Sequence, residues 1–213
     1  MDYLSRICEV IKQEPPNGKV LYENGGQTGD MNLDGYAKMG KKRDLTLAAV
    51  LVPIVTHAER PTILLTQRAA HLQQHSGQVA FPGGKVETHD ASPTAAALRE
   101  TQEEVGLNPD YVQVRGYLDT YETGTGFRIL PVVGFVQPGF SLAINKNEVA
   151  DVFEVPLSLL MAHQKYKMNK IEWQGEQRIY YSMRYDGYNI WGATAGMLRR
   201  MAQRIDINNG ENI

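Results

Sequence analysis

Gly83–Leu107 reads GGKVETHDASPTAAALRETQEEVGL, and its second half has both ends of a helix written into it. Ser92 followed by Pro93 is an N-cap with proline in the first turn. The apolar pattern then runs to Val105, and Gly106 stands where a left-handed C′ residue ends a helix. Within this helix Glu100, Glu103 and Glu104 are three and four residues apart, so their Cβ atoms are expected ~5–6 Å from one another on neighbouring turns. Such repulsion costs a helix ~0.2–0.5 kcal/mol per pair. A divalent cation reverses its sign, because hard cations seek several carboxylate oxygens. The alternative is a solvated acidic face. Two neighbours weigh against it: Pro82-Gly83-Gly84 lets backbone approach a ligand closely, and Arg99 can hold Glu103 at i,i+4.

Outward from this helix, the chain divides into short elements. Residues 2–13 read as a helix stopped by Pro15 and Pro16, and residues 17–43, rich in Gly, Asn, Asp and Lys, as a long arm. Leu45–Val55 and Thr62–Gln67 are aliphatic strand candidates with a turn at His57–Pro61. Gln78–Phe81, Tyr111–Thr120, Phe127–Val136, Val152–Val155 and Ile179–Met183 read as further strands, with a glycine-bearing turn at Gly124 and Gly126. Leu157–Ala162 and Trp191–Arg204 read as helices, the latter amphipathic. Strands and helices mix without regular βαβ alternation, which indicates the α+β class with a mixed sheet and helices on its faces. The expected organisation is an N-terminal helix and arm over 1–44, a main domain over 45–205 and a tail over 206–213.

Composition narrows the function. A chain of 213 residues with 42% hydrophobic residues can bury one sizeable core. A formal net charge of -2 creates no global field for nucleic acid. Cys8 is the single cysteine, so no intramolecular disulfide or thiolate metal cluster can form; it is read as a small buried hydrophobe. No secretory signal or ~20-residue apolar span is visible. A cytoplasmic protein without nucleic-acid or membrane partners is therefore expected. His71 and His75 are four apart but lack a third ligand nearby, which favours polar packing or contact at a substrate entrance over zinc. Lys41-Lys42-Arg43 is a solvated arm or a phosphate contact. Ser76 and Ser92 lack a base arrangement for nucleophilic work, and Gly124 and Gly126 form no dinucleotide fingerprint.

The stretch quoted first resembles the Nudix hydrolase box, GX5EX7REUXEEXGU with U aliphatic. Gly84, Arg99, Glu100, Glu103, Glu104, Gly106 and Leu107 match. Asp90 stands where the box has glutamate, separated from Arg99 by eight residues instead of seven, and Thr101 replaces an aliphatic residue. Directly upstream, Leu64–Gly84, LLTQRAAHLQQHSGQVAFPGG, is similar to the signature of the coenzyme A pyrophosphatase branch, roughly LLTXR(S/A)X3RX3GX3FPGG, with Gln73 in place of an arginine. The two motifs cover about a fifth of the chain.

The resemblance implies the Nudix fold, a mixed sheet between helices, and Mg²⁺ or Mn²⁺ as cofactor. It implies Glu100, Glu103 and Glu104 as metal ligands, with the Gly84 carbonyl as a further candidate. Arg99 would orient the carboxylates. Glu148 is read either as an acid supplied from outside the box, a ligand or general base, or as a surface loop acid. Arg68 is read either as a phosphate or substrate contact or as a structural ion pair, and Phe81 as a substrate contact. Asp90 either pairs with Arg99 or has no measurable role. The implied reaction splits the diphosphate of coenzyme A or a derivative into adenosine 3′,5′-bisphosphate and 4′-phosphopantetheine. ADP-ribose, a dinucleotide or a nucleoside triphosphate are the alternative substrates, and a silent nucleotide-sensing module is the alternative from another class. The N-terminal segment and final helix are candidate surfaces for a homodimer.

Overall fold

In the computed structural model the described residues are 2–18, 20–21, 28–29, 45–173 and 176–208. Most of the arm expected over 17–43, with Lys41-Lys42-Arg43, lies outside them. The first elements are helix α1 (Tyr3–Val10) and strands β1 (Thr28–Gly29), β2 (Thr46–Val55), β3 (Thr62–Arg68), β4 (Val79–Ala80) and β5 (Gly83–Lys85). Helix α2 (Pro93–Val105) follows, then β6 (Val112–Tyr117), β7 (Tyr121–Glu122), β8 (Phe127–Val136), β9 (Val149–Pro156) and the short helix α3 (Leu157–Leu160). The chain closes with β10 (Lys167–Trp173), β11 (Glu176–Tyr185), β12 (Tyr188–Trp191) and helix α4 (Gly192–Asn208).

Among the described residues, β1–β9 form one mixed sheet ordered β1-β7-β8-β2-β3-β4, with β5 on β2, β6 on β8 and β9 on β3. The central pair, β2 and β8, is parallel from Thr46↔Phe127 to Val55↔Val136. Strands buried on both faces read as continuous apolar runs, and β2 shows why. Ala49, Leu51 and Val55 enter one core cluster with Ala96, Ala97 and Val105 of α2. Val52 and Ile54 enter the other, with Ile7 of α1 and Leu198, Met201 and Ile205 of α4. The sheet is thus sandwiched between α2 and the α1/α4 pair, in the α+β architecture expected. Pro53, which cannot donate a ladder bond, falls where the non-β8 edge of β2 changes partners: β5 pairs along Ala48–Val50 and β3 along Ile54–Val55.

Several boundaries differ from the sequence reading. Helix α1 ends at Val10, because Ile11 turns extended and Lys12 bridges to Tyr117. Trp191 closes strand β12 instead of opening the final helix, and α4 runs on to Asn208. A second sheet, β10-β11-β12, surrounds the expected strand at Ile179–Met183. Cys8 is half-buried, with the Arg115 guanidinium donating to its sulfur at 3.7 Å, so it is not a plain core residue. His71 and His75 lie in the β3–β4 connection and not on a helix. Among the described residues no helix is long and apolar enough to cross a membrane.

Candidate active site

Strand β5 and helix α2 bring backbone and carboxylates together. Ser92 caps α2 by accepting from the Ala95 N–H at 3.1 Å, and Gly106 closes it at φ 73°. Gly83 sits at φ 147°, and a Cβ there would come within 2.5 Å of the Ala49 carbonyl oxygen. Its backbone therefore lies against β2, with its N–H turned to Glu104 Oε2 at 3.1 Å. At Gly84 a Cβ would fall 2.5 Å from the Glu100 carboxylate. The missing side chain is what lets that carboxylate rest against the strand.

A β-bulge supplies the next group. The β3–β9 register shifts between Gln67 and Arg68, so that Gln67 pairs with Asp151 and Arg68 with Val149. Bulges re-aim side chains; here Arg68 Nη1 comes to 3.8 Å from Glu104 Oε1, while its Nε is buried without a partner among the described residues. Beside the bulge the Glu148 carbonyl accepts from the Ala69 N–H. The Asn145 side chain donates to Glu148 Oε1 at 2.9 Å and accepts from the Asn147 N–H, an Asx-type turn that fixes the carboxylate.

Glu104 is buried, and burial is the largest influence on its carboxyl, pushing its pKa up to about 7. The charges of Glu148 and Glu100 push the same way, against the Gly83 N–H and Arg68. Burial also raises Glu100, opposed by its bond to Arg99. Arg99 is a hub: Nε and Nη2 take the two oxygens of Asp90 at 2.9 and 3.0 Å, and Nη1 reaches Glu100 at 2.9 Å and Glu103 at 3.0 Å. Asp90 therefore pairs with Arg99, and that bond holds its carboxyl down at about 2. The shorter side chain and extra spacer residue of this motif are absorbed in a loop that still delivers a bidentate carboxylate.

Glu104 borders a cavity of about 410 Å³, whose lining does not include Arg99, Glu100, Glu103 or Glu148. Of the residues expected at the site, Gly84, Glu104, Arg68 and Phe81 line it. Phe81 is only 3% exposed and belongs to a core cluster, so it offers an edge of wall. Glu103, 56% exposed at its side chain, faces outward on α2. Thr123, Thr125, Phe127, Trp191 and Met197 also line the cavity, and sequence reasoning did not find them. They come from the β7–β8 turn and the β12–α4 junction, which only tertiary folding brings to this point. The Thr194 hydroxyl, donating to the Val79 carbonyl, holds that junction on β4.

A divalent cation suits this donor set. The charges of Glu148 and Glu100 raise the proton affinity of Glu104, those of Glu103 and Glu148 raise that of Glu100, and the Gly84 backbone lies against Glu100. Among the described residues no three acidic or histidine side chains yet converge on a single point. Arg99 holds oxygens of Glu100 and Glu103, and Gly83 holds one of Glu104.

The NUDIX domain model matches residues 45–174, from the start of β2 into the second sheet. The uncharacterized Nudix hydrolase NudL of Citrobacter koseri is 46% identical over 160 residues, 75% of this chain and 83% of that protein. Its namesake in Enterobacter sp. (strain 638) is 44% identical over 158 residues, 74% of this chain and 82% of that protein. The solved structure of RenU, a Nudix hydrolase from M. smegmatis, superposes with a TM-score of 0.50 at 17% identity, covering 91% of this chain and 96% of that one, a likeness of fold.

Proposed function

The chain belongs to the Nudix hydrolase family, and on that premise we propose that it hydrolyses the diphosphate linkage of coenzyme A or a coenzyme A derivative. Family membership supports an enzyme acting on a nucleoside diphosphate derivative. One observation carries the finer reading: the stretch Leu64–Gly84, which resembles the coenzyme A branch, forms a wall of the cavity through Thr66, Arg68, Gln78, Phe81 and Gly84. Phe127, Ile129 and Met197 add a largely apolar surface suited to a pantetheine arm.

The contacts support a division of work. Glu100, Glu103 and Glu104, with the Gly84 carbonyl, would hold Mg²⁺ or Mn²⁺. Bound there, the ion neutralises diphosphate charge and acidifies water. Burial raises the proton affinity of Glu104, and a bound cation would favour its ionised form, which couples its proton to ion binding. Arg68, at the bulge beside Glu104, would take a phosphate oxygen. Asn145 occupies Glu148 Oε1, which leaves Oε2 to receive the proton of the attacking water. Asp90 and Arg99 set the angle of the helix carboxylates. Water adds across the P–O–P bridge, giving adenosine 3′,5′-bisphosphate and 4′-phosphopantetheine when the substrate is coenzyme A. A product assay with coenzyme A, ADP-ribose, a dinucleotide and a nucleoside triphosphate, with and without magnesium, tests the reading. Metal-dependent release of the bisphosphate at the highest kcat/KM of the panel is expected. Efficient cleavage of ADP-ribose with coenzyme A inert would overturn it.

A further inference from the structure

A second concavity, of about 670 Å³, lies on the three-stranded sheet. Register fixes which side chains share its face: Lys167 lies opposite Ser182, Arg184 opposite Asn189, and Ser182 opposite Trp191. Alternation along each strand puts all of these on the side that carries Trp191. Lys165, in the 3-10 turn before β10, joins Lys167 and Arg184 at its lining. Asn169 donates to the Ser182 hydroxyl at 2.8 Å, giving the groove a polar floor.

Charge distinguishes this groove from an ordinary solvated surface. Among the described residues lining it none is acidic, and Lys165, Lys167 and Arg184 make no ion pair with any described residue. Three cations around one concavity repel one another in a chain whose net charge is -2. A doubly charged phosphomonoester reverses that repulsion and finds hydroxyl and amide donors on the floor. One ring contact links the groove to the cleft. Trp191 lines the cleft, and the ring of Tyr180, which lines the groove, meets the Trp191 ring edge-on at 5.5 Å.

We propose that the groove formed by Lys165, Lys167 and Arg184 binds a phosphomonoester that the nucleotide substrate carries in addition to its scissile diphosphate. Resting on the coenzyme A reading, that group is the ribose 3′-phosphate. The groove then acts as a specificity site for the same reaction, separate from the carboxylates that cleave the bond.

The test compares the wild-type protein with a double variant, Lys167→Ser with Arg184→Ser, on coenzyme A and 3′-dephospho-coenzyme A. Wild-type kcat/KM should favour coenzyme A by about tenfold or more, mainly through KM, as expected when charge-assisted contacts are gained. In the double variant the preference should fall by about the same factor. A wild-type protein without the preference, or a preference that survives both substitutions, overturns the proposal. Calorimetric titration in magnesium with adenosine 3′,5′-bisphosphate and with AMP reads the groove without turnover, and the bisphosphate should bind more tightly only while Lys167 and Arg184 are present. Equal affinity for the two nucleotides counts against the groove, as does competition by inorganic phosphate as effective as that by the bisphosphate. A protein that leaves coenzyme A intact yet keeps the variant-sensitive bisphosphate preference refutes the coenzyme A reading and supports the groove. Cleavage of coenzyme A without any preference does the reverse.

Discussion

Burial keeps a proton on Glu104 up to about pH 7, whereas an exposed glutamate releases it near 4.5. Between those values the folded chain therefore binds more protons than the unfolded chain, and stability falls as pH rises through the window. The whole span is worth on the order of 3 kcal/mol at pH 7.5. Glu104→Gln removes the titration while keeping the shape. Without metal, that variant should melt higher than the wild-type protein at pH 7.5, and the gap should shrink at pH 5. Its turnover should nevertheless fall by ~10²–10³, the loss expected for one electrostatic stabiliser at a reacting centre. Thermal melts at both pH values and a turnover assay check the pair, and full activity would sink the assignment. Asp90 acts one step further back. Its bidentate grip fixes Arg99, which in turn fixes Glu100 and Glu103. Asp90→Asn should raise the magnesium concentration for half-maximal activity by ~10–100-fold, as losses behind metal ligands do, while turnover at saturating magnesium stays within a few-fold. A magnesium titration of activity separates this from a direct chemical role, which would lower the saturated rate instead.

At the scale of elements, the adjacent glycines of β5 make different demands. Gly83 combines φ 147° with backbone atoms of β2 where a Cβ would go, so Gly83→Ala strains the sheet itself. Gly84 has no positive φ, and its Cβ would meet only the end of the Glu100 side chain. Gly84→Ala should leave the melting temperature nearly unchanged yet lower activity at least tenfold, roughly 1.4 kcal/mol of lost transition-state stabilisation, because Glu100 must swing away. Gly83→Ala should lower stability by ~1–3 kcal/mol; circular-dichroism melts with activity assays distinguish the two. The same glycines mark what the sequence could reveal. Helix α2 was legible at both ends because Ser92, Pro93 and Gly106 act locally, and β2, β3 and β8 were legible because β-branched runs suit a doubly buried sheet. Asn145 was within reach too, since an asparagine three residues before Glu148 is a local turn signal. Strands β10 and β12 were not legible: Lys167–Trp173 mixes lysine, asparagine and glutamate, and Trp191 continues apolar into α4. Nor could periodicity reveal the bulge that re-aims Arg68, which arises from pairing between β3 and β9 across a long stretch of chain.

Over the whole molecule, the cleft depends on how α4 is moored, since its first turn and Met197 form part of the wall. Asp119, just past β6, is the mooring point: Lys12, beyond α1, meets its Oδ1 at 2.8 Å, and Arg204 of α4 binds its Oδ2. Three segments far apart in sequence thus converge on one carboxylate that is only 7% exposed. Removing one partner of a buried pair costs ~3–5 kcal/mol, but both cations here reach solvent, so Asp119→Asn should cost less, about 1–2 kcal/mol. Part of that loss is Coulombic, and added salt should narrow the difference between wild-type protein and variant, because ~1 M salt shortens the screening length to ~3 Å. The effect on the reaction should appear in KM more than in kcat. Loosening α4 displaces the wall that carries Met197 and the Thr194–Val79 bond, whereas Glu104 and Gly83 sit across the sheet on β5 and α2. Urea melts at low and high salt, with steady-state kinetics on the same variant, test the linkage. If kcat falls as far as KM rises, the mooring reaches the carboxylates too, and the cleft wall and the catalytic helix move as one body.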